Sequence, residues 1–342
     1  MIRKILTTGG TGYIGSHTVV ELQNAGYDVV IVDDLSNSTM GVVSQIEQIT
    51  GKRPEFHRIN MQNREQLDAL FQQTPGIEAV IHFAASKAVG ESVEKPLVYY
   101  RNNVLSLLNL LECMEKYKAP YLVFSSSCTV YGQPEALPVT EMTPRKKAES
   151  PYGNTKIICE DIISDYTKAN KAIHAIALRY FNPIGAHPSA LIGELPNGIP
   201  GNLVPFVTQT AAGLRDQLQV FGNDYNTPDG SCIRDYINVV DLAKAHVTAI
   251  GRLLERRNNS AFEFFNIGTG KGVSVLELLN SFEKVTGQKV NYRIVGRRAG
   301  DIEKIFADTT KANNDLGWKA VASLEETLLS AWNWEKILRK IE

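Results

Sequence analysis

Short apolar runs alternate with stretches of helical period through the first half of this chain. Residues 2–8, 28–33, 55–59, 79–84, 121–126 and 173–179 read as strands. Between them apolar residues recur every three or four positions, as at Leu105, Leu108 and Leu111 ahead of Tyr121. Strand period alternating with helical period predicts βαβ units, and therefore an α/β fold with a parallel sheet covered by helices on both faces. Near residue 182 the texture changes. Residues 182–205 are rich in Pro, Gly and Asn, which reads as loop running over a site. Shorter elements follow, and Phe264–Gly268 reads as a strand ending in a turn. No internal repeat or low-complexity segment is visible.

The first strand runs directly into Gly9-Gly10-Thr11-Gly12-Tyr13-Ile14-Gly15, and an amphipathic segment follows. Strand, glycine turn and helix form the fingerprint of a dinucleotide site: a pyrophosphate approaches the backbone closely and rests on a helix N-terminus. The glycine spacing alone has little specificity. Its context adds weight, because Val29–Val32 forms a second strand ending in Asp33, at roughly the 20-residue spacing at which an acid meets the ribose diol. A carboxylate there repels a 2′-phosphate, so the expected cofactor is NAD rather than NADP. The expected architecture is a Rossmann-type doubly wound parallel sheet with a smaller C-terminal substrate-binding domain. Its expected division is 1–181 for NAD and 182–342 mainly for substrate, with the chain crossing back to the first domain.

Composition narrows the functional classes. The chain has 342 residues, 43% hydrophobic and 21% charged, enough for a sizeable core. A net charge of −1 gives no overall field favouring nucleic acid or acidic membranes. Cys113, Cys128, Cys159 and Cys232 are scattered, without the spacing of a zinc site or a disulfide framework, so no metal is expected. No apolar run approaches 18 residues and no leader pattern precedes the first strand, so no membrane partner is expected and the cytoplasm is the expected compartment.

Two further motifs carry chemistry. In Ser150-Pro151-Tyr152-Gly153-Asn154-Thr155-Lys156, Ser150 can cap a helix and Pro151 suits its first position. Tyr152 and Lys156 then share one helical face, with an ammonium near a phenol. A tyrosine ionises near pH 10 and is a poor base at neutrality, but Lys⁺ and the positive nicotinamide of NAD⁺ favour the phenolate. The second motif, Phe124-Ser125-Ser126-Ser127-Cys128-Thr129-Val130-Tyr131-Gly132, lies where the fifth strand should end, and strand carboxyl ends line the ligand crevice. A serine hydroxyl there can shuttle a proton between the phenol and a substrate hydroxyl.

The glycine motif, the Ser125–Gly132 run and Tyr152-x-x-x-Lys156 together resemble the extended short-chain dehydrogenase/reductases. His82–Ser92, Arg179–Pro188, Phe221–Tyr225, Arg234–Ile237 and Arg297–Asp301 narrow the resemblance to the UDP-glucose 4-epimerases, from about residue 3 to about residue 335. The resemblance implies an isomerase of carbohydrate metabolism that interconverts UDP-glucose and UDP-galactose through transient C4 oxidation with tightly held NAD. It implies Ser127, Tyr152 and Lys156 as the catalytic residues. It places NAD on Gly9, Gly12, Tyr13, Ile14 and Gly15, on Asp33, Asp34, Leu35, Ser36, Asn37 and Ser38, and on Asn60 and Met61. The nicotinamide end would lie along Phe83, Ala84, Ala85, Ser86, Lys87, Asn102 and Phe181, beside the catalytic three.

For the UDP-sugar, the same resemblance implies Lys87, Ser127 and Tyr152 at the sugar and Arg234 and Arg298 on the two phosphates. Tyr236 lies in the Arg234 motif. Asn182 would bind a phosphate or nearby sugar oxygen, and Asn202, Leu203, Val220 and Phe221 would hold the uridine. Asp301 would meet ribose hydroxyls, and Ile305 would border the sugar's 2-substituent. A homodimer pairing helices near 90–118 and 152–169 is also implied. The chain departs from the family pattern at Asn60, Arg101, Cys128, Cys232 and Asn238. Alternatives are a UDP-N-acetylglucosamine 4-epimerase, a dehydrogenase with exchangeable NAD, a non-catalytic NAD sensor, and a nucleotide-sugar dehydratase. The dehydratase needs Asp and Glu where this chain has Cys128 and Thr129.

Overall fold

The computed structural model describes residues 2–298 and 301–341. Its centre is a seven-stranded parallel sheet. The first six strands are β1 (Lys4–Thr8), β2 (Asp28–Asp33), β3 (Glu55–Arg58), β4 (Ile77–His82), β5 (Tyr121–Ser127) and β6 (His174–Tyr180). They match the strand-like runs to within about two residues at each end, the usual uncertainty of a strand boundary read from pattern. The seventh, Phe262–Ile267, pairs with β6 at the edge. The strand read at Phe264–Gly268 therefore belongs to the main sheet.

The sheet order runs from that edge strand through β6, β5, β4, β1 and β2 to β3. The order reverses between β1 and β4, so the ligand crevice of such a sheet opens at the carboxyl ends of these strands. Both faces are covered, which explains why inner strands such as β2 and β5 read as near-continuous apolar runs, whereas β3 at the edge, Glu55-Phe56-His57-Arg58, does not. On one face Ile5, Val29 and Ile31 pack with α1 (Tyr13–Asn24), α2 (Gly41–Thr50) and the helix Val239–Leu254. On the other, Leu6, Val30 and Val80 pack with α3 (Arg64–Gln73), α5 (Pro96–Tyr117) and α6 (Pro151–Ala169). The short α4 (Val89–Glu94) precedes α5.

The helical reading of α5 holds, but its apolar residues do not form one face. Leu107, Leu110, Leu111 and Met114 enter the core, whereas Leu105 and Leu108 are 37% and 40% exposed. Leucines at that spacing satisfy helical period whichever side they face, so the pattern could not assign them to the core.

A third core cluster joins the helices Leu203–Ala211, Val275–Thr286 and Leu324–Arg339 to the strand Leu218–Phe221. Leu218–Phe221 pairs in parallel with Tyr292–Val295. The strand Ile233–Arg234 pairs with Val273–Ser274 on one side and Lys304–Ile305 on the other. Among the described residues, no helix is long and apolar enough to cross a membrane.

Candidate active site

The glycine turn leads from β1 into α1. Gly9 has φ +70°, and a Cβ there would lie 2.8 Å from the Ala84 nitrogen. A Cβ on Gly15 would collide with the Gly9 carbonyl oxygen. Only a chain free of side chains can make this turn and leave the first turn of α1, at Tyr13 and Ile14, open to an anion. Gly12 is the N-cap residue and supplies no side chain.

Asp33, at the end of β2, organises the neighbouring loop. Its carboxylate accepts hydrogen bonds from Thr11 N at 3.1 Å, Leu35 N at 2.9 Å and Ser38 Oγ at 3.3 Å. Asp34 accepts from Ser36 N at 2.9 Å. Asn37 is exposed beside them. After β3, Asn60 is exposed, its Oδ1 accepting from Gln62 N, and Met61 is buried. Past β4, Phe83, Ala84 and Ala85 lead to Ser86, which Asn103 holds by accepting from Ser86 N at 2.8 Å. Asn102 donates to the Ser86 hydroxyl at 3.0 Å. These residues form one rim above β1, β2 and β4. They fit a dinucleotide through the glycine cradle, the helix start and the acid at the end of β2.

The catalytic candidates meet next to this rim. Ser150 caps α6 by accepting from Gly153 N at 3.2 Å, and Pro151 occupies its first turn. Tyr152 and Lys156 therefore point from one face of α6 toward the end of β5. Lys156 is 4% exposed and its Nζ donates to the Ser125 carbonyl at 2.6 Å, lying 5.9 Å from the centre of the Tyr152 ring. Burial lowers its pKa to about 8, with Cys159 and Glu160 pulling it back up. Burial pushes the Tyr152 phenol up to about 12, while Ser127 draws it down. Ser127 is 8% exposed and also accepts from Thr129 N at 3.2 Å.

Each of the three consecutive serines has its own partner. The Ser125 hydroxyl is bonded to the Tyr180 phenol, Ser126 donates to Glu160 Oε1 at 2.6 Å, and Ser127 lies beside Tyr152. Burial raises the Cys128 thiol to about 12, so it is a protonated thiol at neutral pH. Phe181, 4% exposed, packs with Cys128 and Ile305.

The substrate-side candidates fall into two groups. Arg234, Arg298 and Asp301 converge: Arg298 donates to Asp301 Oδ1 at 2.6 Å and Arg234 approaches the same oxygen at 3.9 Å. Ala299 and Gly300 of that motif lie outside the described residues. Phe221 lies under Arg298, whose guanidinium is 5.3 Å from the ring centre. Val220 and Tyr236 are buried close by. The second group lies on the segment after β6, which opens not as the expected loop but as a short strand, Asn182–Ile184, paired with Tyr236–Asn238. Asn182 takes its backbone position from the Asp235 carbonyl at 2.9 Å. Asn202 donates to Glu194 at 2.6 Å, which also meets Lys87 at 3.3 Å, and Leu203 starts the next helix. Ile305 is only 2% exposed and packs among Val130, Tyr131, Val139, Phe181 and Ala307, so its side chain belongs to a core cluster.

Sequence reasoning missed several partners. Glu194 joins Lys87 to Asn202, and Asn103, not only Asn102, holds the Ser86 turn. Asp235 is fully buried and receives Thr269, Gly270 and Ala307 nitrogens, anchoring the strand that carries Arg234. Glu160 was visible only as the next step of the Tyr152–Lys156 stripe. Glu194 and Asn202 lie eight residues apart on an irregular segment, and the others are joined across longer separations, so none leaves a periodic signal.

A glycine cradle, an acid at the end of β2 and a Tyr–Lys pair against a serine strand end define a nucleotide-dependent α/β enzyme that moves a hydride and a proton. Known proteins place it further. The family model described as GDP-mannose 4,6 dehydratase matches residues 6–330. The UDP-glucose 4-epimerase of Bacillus subtilis (strain 168) is 52% identical over 331 residues, covering 97% of this chain and 96% of that protein. That of Dictyostelium discoideum is 50% identical over 334 residues, covering 98% and 96%. The crystal structure of UDP-glucose-4-epimerase from Stenotrophomonas maltophila, with bound NAD and formylated UDP-arabinopyranose, superposes with a TM-score of 0.96 at 47% identity, covering 99% of this chain and 100% of that one. The Bifidobacterium longum enzyme in complex with NAD+ and UDP gives 0.93 at 45%, covering 98% of each chain. The chain belongs to the UDP-glucose 4-epimerases of the extended short-chain dehydrogenase/reductase family.

Proposed function

We propose that this protein interconverts UDP-glucose and UDP-galactose with NAD held throughout the cycle. The observation that carries the reading is the docking of Tyr152 and Lys156 on the end of β5, beside a glycine cradle shaped for a dinucleotide. The glycine turn, Asp33 and the Phe83–Lys87 segment would hold NAD, which would supply a hydride acceptor and donor and a positive charge near the phenol. Tyr152 takes the proton of the sugar 4-hydroxyl, with Ser127 orienting or relaying it. Lys156 contributes an ammonium that favours the phenolate against the burial that raises the phenol, and it would help hold the nicotinamide ribose of bound NAD. Arg234 and Arg298 bind the diphosphate, whose oxygens match guanidinium forks. Asn182, Asn202, Leu203, Val220, Phe221, Tyr236 and Asp301 hold the sugar, the uridine and its ribose. Held by the diphosphate end, the 4-keto sugar can turn and receive the hydride on its other face.

The dehydratase reading of the family model lacks its acids. The 3₁₀ turn after Ser127 carries Cys128 and Thr129, and neither side chain is an acid–base pair at neutral pH. The decisive experiment incubates the purified protein with UDP-galactose and no added NAD. Formation of UDP-glucose supports the reading; a requirement for added NAD points to a dehydrogenase, and loss of water from the sugar to a dehydratase.

A homodimer is the assembly we favour. Leu97, Leu105 and Leu108 are exposed along α5, with Val93 on α4 and Val98 nearby, an apolar stripe that a second copy would cover. Sedimentation of the wild type against Leu97→Glu tests this. The cytoplasm is the setting we favour, since four unpaired cysteines suit a reducing compartment.

A further inference from the structure

The mechanism uses one face of α6 at Tyr152 and Lys156. The same face continues to Glu160, one turn on, and there the helix meets a buried ion pair. Glu160 is 2% exposed and Arg179 of β6 is 3% exposed. Arg179 Nε donates to Glu160 Oε1 at 2.9 Å and its Nη2 to Oε2 at 2.6 Å, a bidentate pair. Ser126 Oγ donates to Oε1 at 2.6 Å, and Arg145 approaches Oε2 at 3.6 Å. Arg179 is itself fixed from behind: its Nη1 donates to the Tyr131 hydroxyl at 3.0 Å, which donates to Asn266 at 2.6 Å.

The placement relative to the serine run is the informative part. The Ser125 carbonyl accepts from Lys156, the Ser126 hydroxyl binds Glu160, and Ser127 lies beside Tyr152. Glu160 thus grips the strand residue between the two that serve catalysis, and does so from the helix that carries Tyr152 and Lys156. Lys156 and Tyr152 join the helix to Ser125 and Ser127; Glu160 adds the joint at Ser126 between them and ties the same helix to Arg179 of the next strand, β6. We propose that Glu160, held by Arg179 and Ser126, is a positioning residue for the epimerisation, fixing the catalytic helix, and Lys156 on it, against the end of β5.

Other groups act on Lys156 as well. Tyr152 and Cys159 share its helix, Phe124 and the Ser125 carbonyl face it from β5, and neutral His82 faces it from β4. Tyr99 of α5, bonded to Glu91, approaches Tyr152. Among these, Glu160 is the one carboxylate that pulls the Lys156 pKa upward, against the burial that lowers it to about 8. Removing its charge lowers that pKa further, and the unpaired Arg179 adds to the shift in the same direction. The ammonium is then lost at lower pH.

The proposal rests on the catalytic reading above, so the test carries Tyr152→Phe beside it. In Glu160→Gln the alkaline limb of kcat is expected to move about one pH unit toward acid, the smaller shift typical of removing a neighbouring opposite charge. KM for UDP-galactose should stay within about twofold, since no substrate contact is lost. A purely structural role would lower the thermal midpoint and leave the limb in place, and that result overturns the proposal. Losing one partner of a buried pair can prevent folding, so Ser126→Ala is the second variant, sparing the pair itself. Its kcat should fall about fivefold, the worth of one net hydrogen bond, at constant KM. If Glu160→Gln does not fold, an unchanged kcat in Ser126→Ala overturns the proposal. Turnover retained in Tyr152→Phe defeats the catalytic reading and this one with it. An inactive Tyr152→Phe with an unmoved limb in Glu160→Gln defeats this one alone.

Discussion

Lys156 is 4% exposed and hydrogen-bonded to a strand carbonyl; Arg298 has 58% of its side chain exposed and bonds Asp301, three residues on. The two cations belong to clusters with opposite construction. Around Ser127, Tyr152 and Lys156, burial shifts ionisation strongly, and the Lys156 ammonium is fixed by a strand carbonyl. Around Arg234, Arg298 and Asp301 the charges depend on one another, and Arg298 reaches solvent while Arg234 and Asp301 are largely covered. Burial acts on the two groups in opposite senses: it brings the Lys156 ammonium toward neutral pH and drives the Tyr152 phenol away from it, so the phenol depends on nearby positive charge to ionise. Groups that must capture a dianionic end from water, and release it, need solvent access. The first cluster should therefore govern kcat and the second KM.

The largest expected effect is at Tyr152. Tyr152→Phe removes only the acid–base hydroxyl and should lower kcat about 100- to 10,000-fold, the usual worth of a positioned proton donor. UDP binding, measured by calorimetry, should stay nearly intact. Comparable turnover in the variant would identify another base and break the comparison at its stronger end. Wild-type kcat should also fall as pH rises past about 8, because Lys156 is an ammonium below its pKa and neutral above it. A rate flat to pH 10 would remove Lys156 from the acid–base scheme.

At the other cluster, Arg234→Ala and Arg298→Ala should raise KM about tenfold or more each, as charge-assisted hydrogen bonds of roughly 1.5–3 kcal/mol are lost. The effect at kcat should be small. Arg298, the more exposed, should show the stronger salt dependence, since solvent and ions screen it. Equal losses in kcat for these variants would show that the two clusters are not separable. Asp33→Ala should weaken the preference for NAD over NADP, about tenfold for a lost charge-assisted hydrogen bond. Asp33 also holds Thr11, Leu35 and Ser38, so NAD affinity itself should fall. Calorimetry with both cofactors checks this, and an unchanged preference removes Asp33 from the discrimination.

The same contrast marks what the sequence could reveal. β1, β2 and the glycine turn were legible because their signals are local: a run buried on both faces, a turn that excludes Cβ, an acid at a strand end. Ser150, Pro151, Tyr152 and Lys156 were legible because one helix cap fixes their common face. Glu160 with Arg179 and Asp235 with Ala307 were not, because their partners meet only after the sheet is assembled. The leucines of α5 show the limit of periodicity. It finds the helix, but core and exposed stripes carry the same residue type.

The smallest expected effect is at Ile305, and its burial is the reason. The resemblance places this side chain at the sugar's 2-substituent, while the structure packs it against Phe181, Val130 and Tyr131. Its strand neighbour is Arg234, so it stands next to the strand proposed to bind phosphate even though its side chain faces a core. Much of any change there is absorbed by that core. Ile305→Ser should raise activity on UDP-N-acetylgalactosamine relative to UDP-galactose about fivefold, the low end of the roughly 1–3 kcal/mol that an overpacked group costs. The lost packing should lower the thermal midpoint as well, because truncating a buried Ile costs about 2–5 kcal/mol when carried to Ala. Both specificity constants, measured for wild type and variant, decide between the two roles. A lower midpoint with an unchanged ratio makes Ile305 a packing residue, and the wall of the sugar site must then be sought elsewhere around Cys128 and Phe181.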